Sequence, residues 1–325
     1  MKSQKIGNGQ ILITGGSGFI GSYVVELLKQ EEFDIVLADR FKPKSDTKYV
    51  KADLTKPFSL TKDVEICIHL AAHVGGIKYF TKHPVENLRN NPVMTSNLLD
   101  AAINANVKQV IYTSSSSVYE HATTFPSTEE SSAHCPTPSL PYAFSKLVGE
   151  YLCKAYNEQF GLKYAILRPS GIYGPGEDPD PEYGHVIPHL IRKVLSGQFP
   201  VQIYGTGEQT RTFTHGKDTA RAFLHIIKNK NAINDTFNVS GDEEIKIIEL
   251  LRLIWTMTGH KEELKVKHLP PFPHDIQRRF ISNRKIKEKL DWKPRISLRD
   301  GLAETIEWIR KRGHTGRKHP YPVVR

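Results

Sequence analysis

Short apolar runs and amphipathic segments of helical period take turns along the first half of the chain. Gln10-Ile11-Leu12-Ile13-Thr14, Asp34-Ile35-Val36-Leu37-Ala38 and Gln109-Val110-Ile111-Tyr112-Thr113 are too short for helices and rich in β-branched residues. Near-continuous apolar runs of this length suit strands that are covered on both faces, as in a parallel sheet. Between the runs, apolar residues recur at three- and four-residue steps, as from Tyr23 to Gln30. The alternation continues from Ile11 to about Leu167, so the pattern predicts an α/β fold with a doubly wound parallel sheet. Pro175 to Gly184, rich in Pro, Gly and acids, predicts a loop. Beyond it the pattern predicts a helix over His185–Leu195, a short strand within Gln198–Tyr204 and a helix over Asp218–Lys228. A returning strand over Thr236–Val239, a helix over Glu243–Gly259 and a rigid loop over Pro270–Pro273 follow. No internal repeat or low-complexity tract breaks the pattern.

With 38% hydrophobic and 25% charged residues, the 325-residue chain has the make-up of a soluble protein with a large core. No apolar run reaches the ~18 residues that a membrane span needs, so no membrane partner is expected. Met1 to Gln10 lacks the apolar core of a signal peptide. Cys67, Cys135 and Cys153 are odd in number and form no Cys-x-x-Cys. That argues against a disulfide framework or a zinc or other metal site, and for the cytoplasm. Cys67, in an apolar strand, is expected in the core. The net charge of +10 is dispersed and lies partly in the tail from Arg310 to Lys318, with no recognised nucleic-acid module. A nucleic-acid partner is therefore set aside; a positive cleft also serves a diphosphate.

The first strand runs into Gly15-Gly16-Ser17-Gly18-Phe19-Ile20-Gly21, and a helix follows. Glycines at 15, 18 and 21 permit a tight turn, close approach of a pyrophosphate and close packing of helix on strand. The helix start then offers free N–H groups and a positive dipole end. Asp39 closes the second strand, where a carboxylate accepts both ribose hydroxyls and repels a 2′-phosphate. This is a dinucleotide (Rossmann) fingerprint that favours NAD. Arg40, Lys42 and Lys44 come next and keep NADP open.

Tyr142 and Lys146 lie four apart, on one face of a helix. A neighbouring ammonium favours the phenolate, so the pair is expected to lower the tyrosine pKa and move a proton at a substrate hydroxyl. Ser114-Ser115-Ser116-Ser117 ends the strand that begins at Gln109, at the carboxyl edge where open α/β sheets bind ligands. A serine there is placed to polarise a substrate oxygen.

These residues together resemble the extended short-chain dehydrogenase/reductase family of nucleotide-sugar epimerases and dehydratases. The resemblance runs from Ile11 to about Trp308. It includes Thr14 to Gly21, Ala52-Asp53-Leu54, His69-Leu70-Ala71-Ala72 and the helix with Asn91, Val93, Thr95, Asn97 and Leu98. Arg168-Pro169-Ser170-Gly171-Ile172-Tyr173-Gly174-Pro175-Gly176 resembles the segment at the nicotinamide end, and Gly205 to His215 with Asp218 the diphosphate stretch. The family implies a catalytic Ser115, Tyr142 and Lys146. It also implies an NAD site with Gly15, Gly18, Phe19, Ile20, Gly21, Asp39, Arg40, Asp53, Leu54, Leu70, Ala71, Ala72, Pro169 and Ile172. It implies a cofactor domain over residues 1–175, with later segments crossing back. A smaller C-terminal α/β substrate lobe then covers most of 176–315, followed by a basic tail over 316–325.

The residue before Val118 separates the family's reactions. Dehydratases and decarboxylases carry Glu there, and the 3,5-epimerising enzymes resembling GDP-fucose synthase carry Cys; this chain has Ser117. A hydroxyl cannot supply carboxylic-acid chemistry, which favours epimerisation at C4 and predicts no solvent deuterium at C3 or C5. Two segments resemble the GDP-fucose synthase branch instead: Val74-Gly75-Gly76 after His73, and Gly184-His185-Val186-Ile187-Pro188. That branch uses its histidine as an acid/base; elsewhere the position contacts the nucleotide. His73, Ser116, Ser117, His185, Val186, Arg211 and Arg278 (or Arg279) are thus expected around a nucleotide-diphosphate sugar. Phe272 falls near the place of an arginine that many 4-epimerases use. The resemblance also implies a homodimer, paired through Leu98, Leu99, Ala102 and Ile103 on one helix and Leu147, Tyr151, Leu152 and Ala155 on another.

Overall fold

The computed structural model describes residues 9–43, 46–180, 184–272 and 275–312. Residues 1–8, Lys44, Pro273, part of the loop before Gly184 and the tail beyond Arg312 lie outside the described residues. The first half runs β1 (Gln10–Thr14), α1 (Phe19–Gln30), β2 (Ile35–Asp39), β3 (Lys48–Lys51), β4 (Val64–His69), α2 (Ile77–Lys82), α3 (Pro84–Asn104) and β5 (Gln109–Thr113). Next come α4 (Pro141–Phe160), β6 (Lys163–Pro169) and β7 (Ile172–Tyr173). The later elements are α5 (Val186–Leu195), β8 (Val201–Tyr204), β9 (Thr210–Thr212), β10 (Thr214–His215), α6 (Gly216–Lys228) and β11 (Asp235–Val239). The chain then forms β12 (Glu244–Lys246), α7 (Ile247–Met257), β13 (Val266–Leu269), β14 (Arg278–Arg279), α8 (Arg284–Leu290) and α9 (Leu298–Arg312).

Seven strands form one parallel sheet in the order β11-β6-β5-β4-β1-β2-β3. The direction of winding reverses between β1 and β4, which opens a crevice at the carboxyl ends of those strands. Side chains alternate across the sheet. Ile11 and Ile13 join Val24 and Leu28 of α1 and Phe223 of α6 in one core cluster. Leu12 points the other way, into a cluster with Leu98, Leu99 and Ala102 of α3 and Cys153 of α4. Cys67 is fully buried, as expected. β11 and Trp292, from late in the chain, return to the first cluster. A further core joins Ile187, Leu190, Ile203, Leu251, Trp255 and Leu302 from α5, β8, α7 and α9.

Three expectations are corrected by packing. The helix expected over Glu243–Gly259 begins only at Ile247, because Glu244–Lys246 is captured as a strand against β9. The helix expected from Tyr23 begins at Phe19, directly after the glycine turn. Leu98, Leu99 and Ala102 cannot meet a second subunit, because their face of α3 is the one pressed on the sheet, with Ile103 and Leu152 packed beside it. The exposed large apolar residues of these helices are Val85, Leu88 and Val93 on α3 and Phe144, Tyr151 and Phe160 on α4.

Among the described residues, no helix is long and apolar enough to cross a membrane, and no His/Cys/Asp/Glu group is arranged to hold a metal ion.

Candidate active site

The glycine turn at the end of β1 is too tight for side chains. Gly15 has φ +71°, and a Cβ on it would stand 2.6 Å from the Ala71 nitrogen. A Cβ on Gly21 would stand 2.3 Å from the Gly15 carbonyl. The Gly18 cap of α1 makes no side-chain hydrogen bond, so the first-turn N–H groups beside Phe19 and Ile20 remain available to an anion. Asp39 is anchored by the Ser17 N–H at 3.0 Å and the Phe41 N–H at 3.2 Å. Arg40 lies where its charge acts on Asp53, whose Oδ1 also accepts from Thr55. Leu54 is buried beneath; Leu70, Ala71 and Ala72 leave β4 beside the turn, tied by the Ala71 N–H to Thr14 Oγ1 at 3.3 Å. Pro169 and Ile172 stand at the neighbouring strand ends.

β5 delivers the four serines, and a 3-10 turn over Ser116–Tyr119 folds them back. Ser116 and Ser117 are buried, and Ser117 donates from both its N–H (3.1 Å) and its hydroxyl (2.9 Å) to Ser115 Oγ. Ser114 is committed to Glu150 at 2.5 Å. Only Ser115 keeps part of its surface open, so Ser117 braces it, and neither Ser116 nor Ser117 presents the open face expected toward a sugar. The Ser115 side chain lies close enough to the Tyr142 phenol to act on its ionisation. Lys146, one turn along α4, donates to the Thr113 carbonyl at 2.8 Å, with its ammonium 5.9 Å from the Tyr142 ring centroid.

The electrostatics depart from the expected depressed tyrosine. Burial pushes the Tyr142 pKa up to about 12, while the Ser115 side chain and the Arg279 charge work the other way. Burial likewise brings Lys146 down to about 8, against the pull of Glu150. Phe80 of α2 stacks on the Tyr142 ring, with centroids 4.3 Å apart and planes at 17°.

Across the crevice, β14 lies beside β9 with Arg279 opposite Arg211. Consecutive strand residues face opposite ways, which corrects the choice between the two arginines. Arg278 turns outward and holds Glu244 through Nε (2.8 Å) and Nη2 (2.7 Å). Arg279 shares the inner side with Arg211; burial first, and the like charge of Arg211 next, lower its pKa to about 9. Arg211 is steadied by Asp275 at 3.4 Å. His185 precedes α5, followed by half-buried Val186, and its charge acts on the same Arg279 that acts on Tyr142. His73 is not with this group. Asn91 takes its N–H at 2.7 Å, and its charged neighbours are Arg40, Glu86, Asp53 and His83, on the cofactor side.

The model of the NAD dependent epimerase/dehydratase family matches residues 11–240. The chain belongs to that family. A putative UDP-glucose 4-epimerase of Methanocaldococcus jannaschii is 33% identical over 319 residues, covering 94% of this chain and 100% of the relative. The solved UDP-glucose 4-epimerase of Thermotoga maritima with UDP-glucose superposes with a TM-score of 0.82 at 28% identity, covering 93% and 99%. That of Thermus thermophilus, in complex with NAD, gives 0.80 at 26%, covering 93% and 99%. The cofactor of this epimerase/dehydratase is NAD, and the glycine turn, free helix start and anchored Asp39 fit it.

Several residues in this epimerase/dehydratase leave no sign in the amino-acid pattern. Phe80 sits on a short helix with no period of its own. Glu150 accepts from Ser114 and holds buried Arg168 at 2.6 Å. Glu177, buried behind His185, lies in a stretch readable only as loop.

Proposed function

We propose that the chain catalyses NAD-dependent epimerisation of a nucleotide-diphosphate sugar at C4, through a 4-keto intermediate. The observation that carries this is buried Tyr142, close enough to Ser115 for its side chain to act on the phenol and one turn from Lys146 on α4. Tyr142 takes the proton of the sugar 4-hydroxyl and later returns one to the same oxygen. NAD, held by the glycine turn, the start of α1 and Asp39, would supply the hydride acceptor and donor at C4. Ser115 donates to the sugar oxygen, steadied by Ser117. Lys146 and Arg279 supply the positive charge that a buried phenolate needs. Arg211 and Arg279 neutralise the diphosphate. Ser117 leaves this position without a carboxylic acid, which disfavours dehydration. The reading includes a cytoplasmic homodimer, consistent with three free thiols and with the apolar residues exposed on α3 and α4.

Incubation with UDP-, GDP-, CDP- and dTDP-sugars, followed by NMR of the products, tests it. A C4 epimer formed with no net change in nicotinamide absorbance is expected. Stoichiometric consumption of reduced cofactor would mark a keto-sugar reductase instead.

A further inference from the structure

Glu177 lies in the loop after β7, buried, with Tyr23 of α1, Asp178 and the His185 ring around it. Its Oε1 stands 2.6 Å from His185 Nδ1. Its Oε2 is buried with no hydrogen-bond partner among the described residues. The His185 side chain is 49% exposed. Since Nδ1 is turned onto the buried carboxylate, the open edge of the ring carries Nε2. His185 also caps α5 without a side-chain hydrogen bond. A cation at a helix start is opposed by the helix dipole, so Glu177 is what makes a positive charge tenable there. The other charged group facing His185 is Arg279, which in turn faces Arg211, Glu120, Tyr142 and Asp275. The Arg279 Nε is buried with no partner among the described residues.

We propose that Glu177 is a positioning residue that clamps the His185 ring and holds it as an imidazolium, so that Nε2–H donates to the substrate diphosphate beside Arg211 and Arg279. The inference rests on the nucleotide-sugar reading above. A charged donor makes a shorter and stronger bond to a phosphate oxygen than a neutral one. Burial works against the imidazolium, but the Glu177 hydrogen bond and charge prevail and raise the His185 pKa. The charged form is therefore present below that raised value and is lost as pH rises through it, and diphosphate affinity should follow.

Calorimetric titration of UDP, GDP, CDP and dTDP into the NAD-loaded protein, from about pH 6 to about pH 8 so as to stay below the value near 9 to which Arg279 is brought, provides the test. For whichever diphosphate binds, wild-type affinity should fall about tenfold across the range. Glu177→Gln should bind about tenfold more weakly at the acid end and change little thereafter. His185→Asn, which keeps a neutral donor, should show the same flattening and serves if Glu177→Gln does not fold. NMR titration of the His185 ring should move to lower pH in Glu177→Gln. Unchanged affinity and pH dependence in Glu177→Gln, or an unmoved ring titration, would overturn the inference and leave the nucleotide-sugar reading standing. Solvent deuterium at C3 or C5 of the product, lost in His185→Asn, would make the ring a base at the sugar and overturn it too. Failure of the wild type to bind UDP, GDP, CDP or dTDP would remove the nucleotide-sugar reading, and this inference with it.

Discussion

Tyr142 carries the reaction proposed here, and its surroundings explain why a tyrosine suffices. Burial keeps the phenol protonated, while the neighbouring Ser115 side chain and the Arg279 charge oppose that. Tyr142→Phe should keep the fold and NAD binding but cut turnover at least ~10²-fold, as for a positioned acid/base; wild-type-like turnover on the true substrate would sink the role. Lys146 loses its proton near pH 8. Turnover should therefore decline as pH rises through that value, because the charge that sustains the phenolate disappears; a rate that climbs steadily beyond it would contradict this. Asp39→Ala should narrow any preference for NAD over NADP by removing repulsion of the 2′-phosphate. Titration of apo-protein with both cofactors decides, and an unchanged ratio would shift the selectivity to Arg40 and its neighbours. The placement of Tyr142, Lys146 and Asp39 was legible in the sequence because it rests on local spacing; the raised Tyr142 pKa was not, because it comes from burial. Glu177 was not, because a carboxylate in a loop gains meaning only when the chain brings it behind His185.

At the level of elements, α4 is set against β5 by the absence of a side chain. A Cβ on Gly149 would stand 2.1 Å from the Tyr112 hydroxyl, which itself donates to the Lys146 carbonyl at 3.3 Å. Gly149→Ala must push α4 outward, carrying Tyr142 and Lys146 with it. It should cost about 1–3 kcal/mol of stability, as overpacking does. Turnover should drop more than NAD affinity, since the glycine turn lies on another element; urea unfolding and steady-state rates measure the two. A neutral effect on both would mean that the contact yields freely. The parallel strands and the glycine turn could be read from pattern, because each is specified by its own residues. The choice of Arg279 over Arg278 could not, because it depends on how β14 registers against β9. Nor could β12, whose residues continue a helical period until β9 pairs with them.

For the whole molecule, the proposed homodimer finds its exposed apolar residues not on the buried stripe of α3 but on the outer faces of α3 and α4. Phe144 and Tyr151 are 37% and 64% exposed and Val93 38%. A dimer built there should sediment as such at micromolar concentration, and Tyr151→Glu with Phe144→Glu should convert it to a monomer. A wild-type monomer under those conditions would refute the pairing. The order of the sheet has a consequence for descent. The glycine turn, Asp39, Ser115, Tyr142 and Lys146 all precede Pro169, whereas His185, Arg211 and Arg279 belong to segments threaded in after β6 and again after β11. The residues proposed for hydride transfer thus come mostly from the earlier stretch of the gene and those proposed for the substrate from the later ones, with Arg279 serving both. Variation at His185 or Arg211 would then re-address the site to another sugar with little effect on Tyr142, whereas variation at Arg279 would touch recognition and reaction together.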